Sequence, residues 1–67
     1  MDVTVIIHRT KHLHVTKIVW CGKVRYYIAV DRGIGYYEDS FKTPDYAIEV
    51  CDYLEEIGYW RERMCLL

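Results

Sequence analysis

The residues of this chain whose types can do chemistry are three histidines, three cysteines and a run of carboxylates. His8, His12 and His14 lie close together near the N-terminus. If a short turn at Arg9-Thr10-Lys11 joined two strands, His8 would oppose His12, and His14 would follow two residues on along the same face. Three imidazoles so placed could approach a zinc ion. No acidic partner stands beside them in the sequence to orient the rings, so surface histidines next to a turn are the stronger reading and no cofactor is expected. Cys21, Cys51 and Cys65 form an odd set without C-x-x-C spacing. That pattern suits reduced thiols and a cytoplasmic setting better than a disulfide frame. Glu38 and Asp39 are adjacent, so on a strand they point to opposite faces and make no carboxylate pair. Ser40 is the sole serine, with no oriented base in view. No catalytic constellation emerges, and an enzyme is not expected.

The elements that must position these residues are legible from turn chemistry and alternation. At 67 residues the chain makes one domain with a thin core. Its hydrophobic content of 52% argues against disorder. Its apolar runs are far shorter than the roughly 20 residues a membrane-spanning helix needs. The N-terminus lacks a basic segment followed by a long apolar one, so no secretory signal is expected. Starting at Met and showing no linker, the chain is expected to be free-standing.

Trp20-Cys21-Gly22-Lys23 and Asp31-Arg32-Gly33-Ile34 read as two-residue hairpins with glycine supplying positive φ. The first hairpin opposes Val19 to Val24, Val15 to Ile28 and Leu13 to Val30. The second opposes Val30 to Gly35, Ile28 to Tyr37 and Val24 to Phe41. Both send the same residues of the shared strand to one side, which is consistent with a meander. That side collects Leu13, Val15, Val19, Val24, Ile28, Val30, Tyr37 and Phe41, with Tyr26 beside Lys17. The N-terminal segment extends the pattern if Ile7 opposes Leu13 and Val5 opposes Val15; the alternative is one bent strand from residue 3 to 20. Thr43 and Pro44 start a helix, with threonine at the N-cap and proline at the first helical position. Ala47, Val50, Cys51, Leu54 and Ile57 form its apolar stripe, and Gly58 ends it.

The expected architecture is α+β: an antiparallel meander of three or four strands (about 3–8, 12–20, 23–31 and 34–41) with one amphipathic helix (about 44–57) packed on one face. Residues 59–67 read either as a further short strand or as a clamp over apolar surface.

Charge is divided along the chain. Residues 1–37 carry six Lys and Arg against two Asp, a net +4, whereas residues 38–58 carry seven Asp and Glu against Lys42, a net −6. The strands are basic and the helix acidic, a dipole that can steer a charged partner.

The run from Gly22-Lys23 through the strand after it to Asp31, followed by Gly35-Tyr36-Tyr37, by Phe41-Lys42-Thr43 and by Ala47 early in the helix, resembles the AP2 and integrase-arm type of DNA-binding domain over residues 20–54. That resemblance implies three strands and a helix, with the open sheet face in the major groove. Trp20, Lys23, Arg25 and Tyr27 would then face DNA. Glu38 falls on the same face and the net charge is −1, both departures from such domains.

One helix covers one side of a sheet. The other side presents Trp20, Lys23, Arg25, Tyr27 and Tyr36 among Thr4, Ile6, His8, His12, His14, Thr16, Ile18 and Glu38, a mixture of aromatic, aliphatic and basic groups suited to contact. Trp60, Met64 and Leu66 of the tail could instead fold over it. The acidic helix residues Asp45, Glu49, Asp52 and Glu56 offer a second surface, complementary to a basic groove. The expectation is a small non-catalytic binding protein, an inhibitor or adaptor of the kind phages and mobile elements carry. It would dock on a protein or nucleoprotein target, an anti-defence or anti-CRISPR-like role being one concrete form. Sequence-specific DNA binding through the sheet is the alternative. Self-association through the open face or edge is a further reading, and no membrane partner is expected.

Overall fold

The computed structural model describes residues 3–61 and 65–66. Among these residues five strands form one antiparallel sheet in sequential order: β1 (Val3–Arg9), β2 (Leu13–Trp20), β3 (Lys23–Val30), β4 (Gly35–Phe41) and β5 (Cys65–Leu66). One helix, α1 (Pro44–Ile57), packs across β2, β3 and β4. A single 3₁₀ turn, Tyr59–Arg61, follows it. The architecture is the α+β meander expected, with the tail adding a fifth strand that pairs Cys65 with Tyr36 and Leu66 with Gly35.

The β2–β3 hairpin has the expected register throughout, from Leu13 opposite Val30 to Trp20 opposite Lys23. Its turn places Cys21 at φ 50° and Gly22 at φ 76°, the doubly left-handed geometry that matches strand twist. The β3–β4 hairpin begins in the expected register, with Ala29 opposite Tyr36, and then departs from it. Tyr26, not Val24, opposes Phe41, and the expected pairing of Ile28 with Tyr37 does not form. The extra β4 residues lie between Tyr36 and Ser40. Adjacent Glu38 and Asp39 are poor ladder residues, and the irregularity leaves both exposed to water. The shift is an even number of residues, so Phe41 still faces the helix. The turn itself also differs from expectation: Arg32, not Gly33, adopts positive φ, at 60°. Gly33 is needed for space, since a Cβ there would lie 2.7 Å from Val30 Cγ1.

At the N-terminus two strands form rather than one bent strand, but the Ile7–Leu13 and Val5–Val15 pairs do not. Val5 opposes Lys17 and Ile6 opposes Thr16; a bulge follows, after which His8 opposes Val15 and Arg9 opposes His14. Thr10 sets this register. Its amide donates to the Leu13 carbonyl at 2.8 Å, and its hydroxyl accepts from the Leu13 amide at 3.0 Å. The turn thus closes on residue 13.

The core lies between the sheet and α1. Leu13, Val15, Tyr26, Ile28, Phe41, Ala47, Cys51 and Leu54 are buried, with Val24, Val30, Tyr37, Ile48, Val50, Tyr59 and Trp60 packed against them. The helix bounds are those expected. Thr43 has the extended conformation of an N-cap, though its hydroxyl makes no capping bond, and Gly58 closes the helix at φ 71°. Ile57, expected on the apolar stripe, is instead exposed at the last turn. Val3 and Val5 lie on the helix side of β1 but are 46% and 47% exposed, because α1 packs mainly over β2, β3 and β4 and meets β1 at its other end, through His8 and Asp52. No helix is long and apolar enough to cross a membrane among the described residues.

Candidate docking surface

Residues paired across an antiparallel sheet share a face, so the registers assign the side opposite α1. One row runs Ile6, Thr16, Tyr27 and Ser40. The next rows hold Thr4, Ile18 and Arg25, then Trp20 and Lys23 at the hairpin end. Toward the other end lie Arg9, His14, Ala29 and Tyr36. All five residues expected to form a sheet-face surface (Trp20, Lys23, Arg25, Tyr27 and Tyr36) therefore share one side of the sheet. Trp20 is 59% exposed, Ile6 41% and Tyr27 36%. Lys23 is exposed, whereas Arg25 and Tyr36 are half-buried. The Arg25 Nη1 donates to the Val24 carbonyl at 2.8 Å, which holds the guanidinium close to the sheet rather than extended into water.

One of the three tail residues expected to fold over this face lies elsewhere. Trp60 lies on the helix side, its ring stacked on His12 at a centroid distance of 3.7 Å and an interplanar angle of 14°. The Arg61 guanidinium stands 5.1 Å from the same indole. Met64 lies outside the described residues.

The acidic helix surface is divided in use. Asp45, Glu49, Asp52 and Glu56 are exposed and recur at helical spacing. Asp52, however, is already engaged by His8 Nε2 at 2.9 Å. Glu55 is the most engaged carboxylate of the helix. Its Oε1 accepts from the Thr10 hydroxyl at 2.7 Å and from the His12 amide at 2.6 Å, and its Oε2 accepts from His12 Nδ1 at 2.8 Å. Desolvation pushes the Glu55 carboxyl pKa up, but the Thr10 hydroxyl and the His12 imidazole and amide outweigh it and hold the value at about 2. Together these contacts pin the β1–β2 turn to the last turns of α1.

The three histidines are not brought together. The bulge turns His8 to the helix side, where it meets Asp52; His12 sits in the turn on Glu55. His14 faces the other side, its Nδ1 3.1 Å from Asp31 Oδ1, where Arg9 Nε also approaches at 3.4 Å. The hydrogen bond from His14 is the main cause of a lowered Asp31 pKa. The expected opposition of His8 and His12 is thus replaced by three separate imidazole–carboxylate pairs. Among the described residues no group of three His, Cys, Asp or Glu side chains could hold a metal ion.

Sequence reasoning missed the Thr10–His12–Glu55–Trp60 cluster. Its His12, Glu55 and Trp60 line an open cleft of about 380 Å3 with Glu56, Ile57, Gly58 and Arg61. The nearest thiol, Cys51, is fully buried. Desolvation pushes its pKa up to about 11, so it is no nucleophile at neutral pH. The cluster fastens the turn to the helix, and the face bearing Trp20 and Tyr27 remains uncovered among the described residues. The chain matches no protein-family model, no curated protein sequence and no solved structure.

Proposed function

We propose that this chain is a non-catalytic binding protein that docks through the sheet face opposite α1 on a protein or nucleoprotein target, as an inhibitor or adaptor. One observation carries the reading: Trp20, Tyr27 and Ile6 share the side of the sheet that α1 leaves open, beside Lys23 and Arg25. Aromatic groups interleaved with cations on an otherwise small domain are the composition of binding hot spots. The acidic stripe of α1 points the other way and is the secondary surface. An anti-defence factor of the anti-CRISPR type is a specific form of such an inhibitor.

The test is capture from a host lysate with the chain and its face variants in parallel. A partner retained by the wild type and by Glu49→Lys, but lost with Trp20→Ala, Tyr27→Ala and Arg25→Glu, supports the reading. Equal retention by all variants overturns it.

DNA binding through the same face is the second reading, favoured by the outward placement of Lys23 beside Trp20 and of Tyr27 along the next rows. Labelled duplex titrated across a salt series separates the two. Micromolar or tighter affinity that falls steeply with salt selects DNA; no binding at low salt removes it.

A further inference from the structure

The two edges of the sheet are built differently. The β4 edge is protected: β5 pairs with its first residues, and Glu38 and Asp39 interrupt the rest with exposed charge. The β1 edge has no such protection over Val3–Ile7. That segment reads Val-Thr-Val-Ile-Ile, contains neither charge nor proline, and pairs only with β2 among the described residues. Its apolar side chains are exposed on both sides of the sheet: Val3 46%, Val5 47%, Ile6 41% and Ile7 36%. Strand edges of this composition are templates for another strand, and natural proteins normally blunt them with charge. The unpaired N–H and C=O groups define the occupant as extended backbone.

We propose that the occupant is a second copy of this chain, paired antiparallel through β1 about a two-fold axis at Val5, so that two sheets join into one. A two-fold axis normal to the sheet keeps both helices on the same side of the joined sheet and pairs residues of like face. Val5 is the centre of the uncharged run Val3–Ile7. Centring there sets Val5 against Val5 of the second copy, Thr4 against Ile6 and Val3 against Ile7. A neutral segment meets a neutral segment, with no like charges opposed. The charged groups that follow it in the chain are already answered within each copy, His8 by Asp52 and Arg9 by Asp31. The helix packs mainly over β2, β3 and β4 and leaves Val3 and Val5 of β1 exposed on its side of the sheet. In the joined sheet Val3 and Val5 of both copies lie side by side on the helix side, and both Trp20–Tyr27 faces open in one direction. The interface is small, so the dimer is weak and concentration-dependent. It stands on the strand edge alone, whatever the outer face binds.

Sedimentation equilibrium of the full chain from ~1 μM to ~1 mM tests this. The expected result is a monomer–dimer equilibrium that Val5→Lys weakens at least about tenfold, because two ammonium groups then meet at the axis. Val5→Glu alone is expected to do the same, and mixing Val5→Lys with Val5→Glu to restore a heterodimer. A wild-type chain that stays monomeric overturns the proposal. So does a dimer insensitive to Val5→Lys but lost with Tyr27→Ala, which would lie face to face. Should either Val5 variant fail to fold, amide shifts of the wild-type chain decide: concentration-dependent shifts confined to Val3–Ile7 support edge pairing, and shifts confined to the Trp20–Tyr27 face overturn it.

Discussion

Tyr27 and Ile28 are neighbours on β3, yet one is 36% exposed and the other fully buried. On the helix side, Ile28 meets Val15 across the hairpin within the cluster that α1 closes with Ala47, Cys51 and Leu54. On the other side Tyr27 lies between Thr16 and Ser40, with no element of the described chain above it. The composition of the two faces differs less than their environment does. Both are rich in large apolar groups, and it is the single helix that turns one into a core and leaves the other facing water. A purely solvated sheet face is mostly polar, and this one is not.

The sharpest test of that contrast is a pair of truncations. Ile28→Ala removes a fully buried side chain from a thin core and is expected to cost about 2–5 kcal/mol, which at the upper end would unfold a domain of this size. Tyr27→Ala, one residue away, is expected to cost below about 1 kcal/mol, since it loses only partial burial and cross-strand contact. Urea denaturation of both variants checks the difference. Similar losses for the two would mean that the outer face is a second structural core, and the docking surface would disappear with that result.

How far these faces could be read from sequence follows from where the local signals are strong. The β2–β3 register was fixed by Cys21-Gly22, a turn that only left-handed residues close, and by alternation on both flanks. The helix bounds followed from Thr43-Pro44 and Gly58. The flanking strands were less legible. In β1, no glycine or asparagine marks the turn, and the register is set by Thr10 bonding to Leu13 and reaching Glu55, a contact 45 residues away in sequence. In β4, two adjacent carboxylates displaced the ladder, an outcome that alternation alone does not encode. The outer-face residues were legible because each lies within or next to the one hairpin whose register was firm. The histidine pairs were not, because each carboxylate partner lies on a different element.

The turn clamp sharpens the comparison next. Glu55 receives three hydrogen bonds from the β1–β2 turn and so helps hold the sheet beneath the helix. Glu55→Gln keeps one acceptor oxygen but cannot accept from the imidazole through its amide nitrogen. Its expected cost is about 1–2 kcal/mol at neutral pH. The sign of the pH dependence follows from a folded pKa held at about 2 against an ordinary 4.5. The ionised carboxylate stabilises the folded state fully above the ordinary value, and that contribution fades as pH falls from there toward about 2. The gap between wild type and Glu55→Gln is therefore constant above about pH 5 and closes on acidification. Asp31, also lowered, leaves a residual slope in the same direction in the variant. A gap that widens on acidification would show that Glu55 is not the group tied to the turn. Denaturant midpoints measured from pH 7 to pH 2.5 follow this directly.

The smallest expected effect lies at the end of the same hairpin that presents the outer face. Cys21 is exposed and adopts φ 50°, a left-handed conformation that costs a side chain other than glycine or asparagine about 1–2 kcal/mol. Cys21→Asn places the residue most tolerant of that geometry before Gly22, the pairing that two-residue hairpins favour. The expected gain is about 0.5–1 kcal/mol, read as a higher urea midpoint at unchanged slope. Because the substitution acts on the backbone of the turn, the Trp20–Lys23 pair and the fluorescence exposure of Trp20 should stay as they are. Partner capture should be unaffected as well. A variant that gained stability but lost the partner would assign Cys21 itself to the docking surface, extending that surface from the sheet face onto the tip of the hairpin.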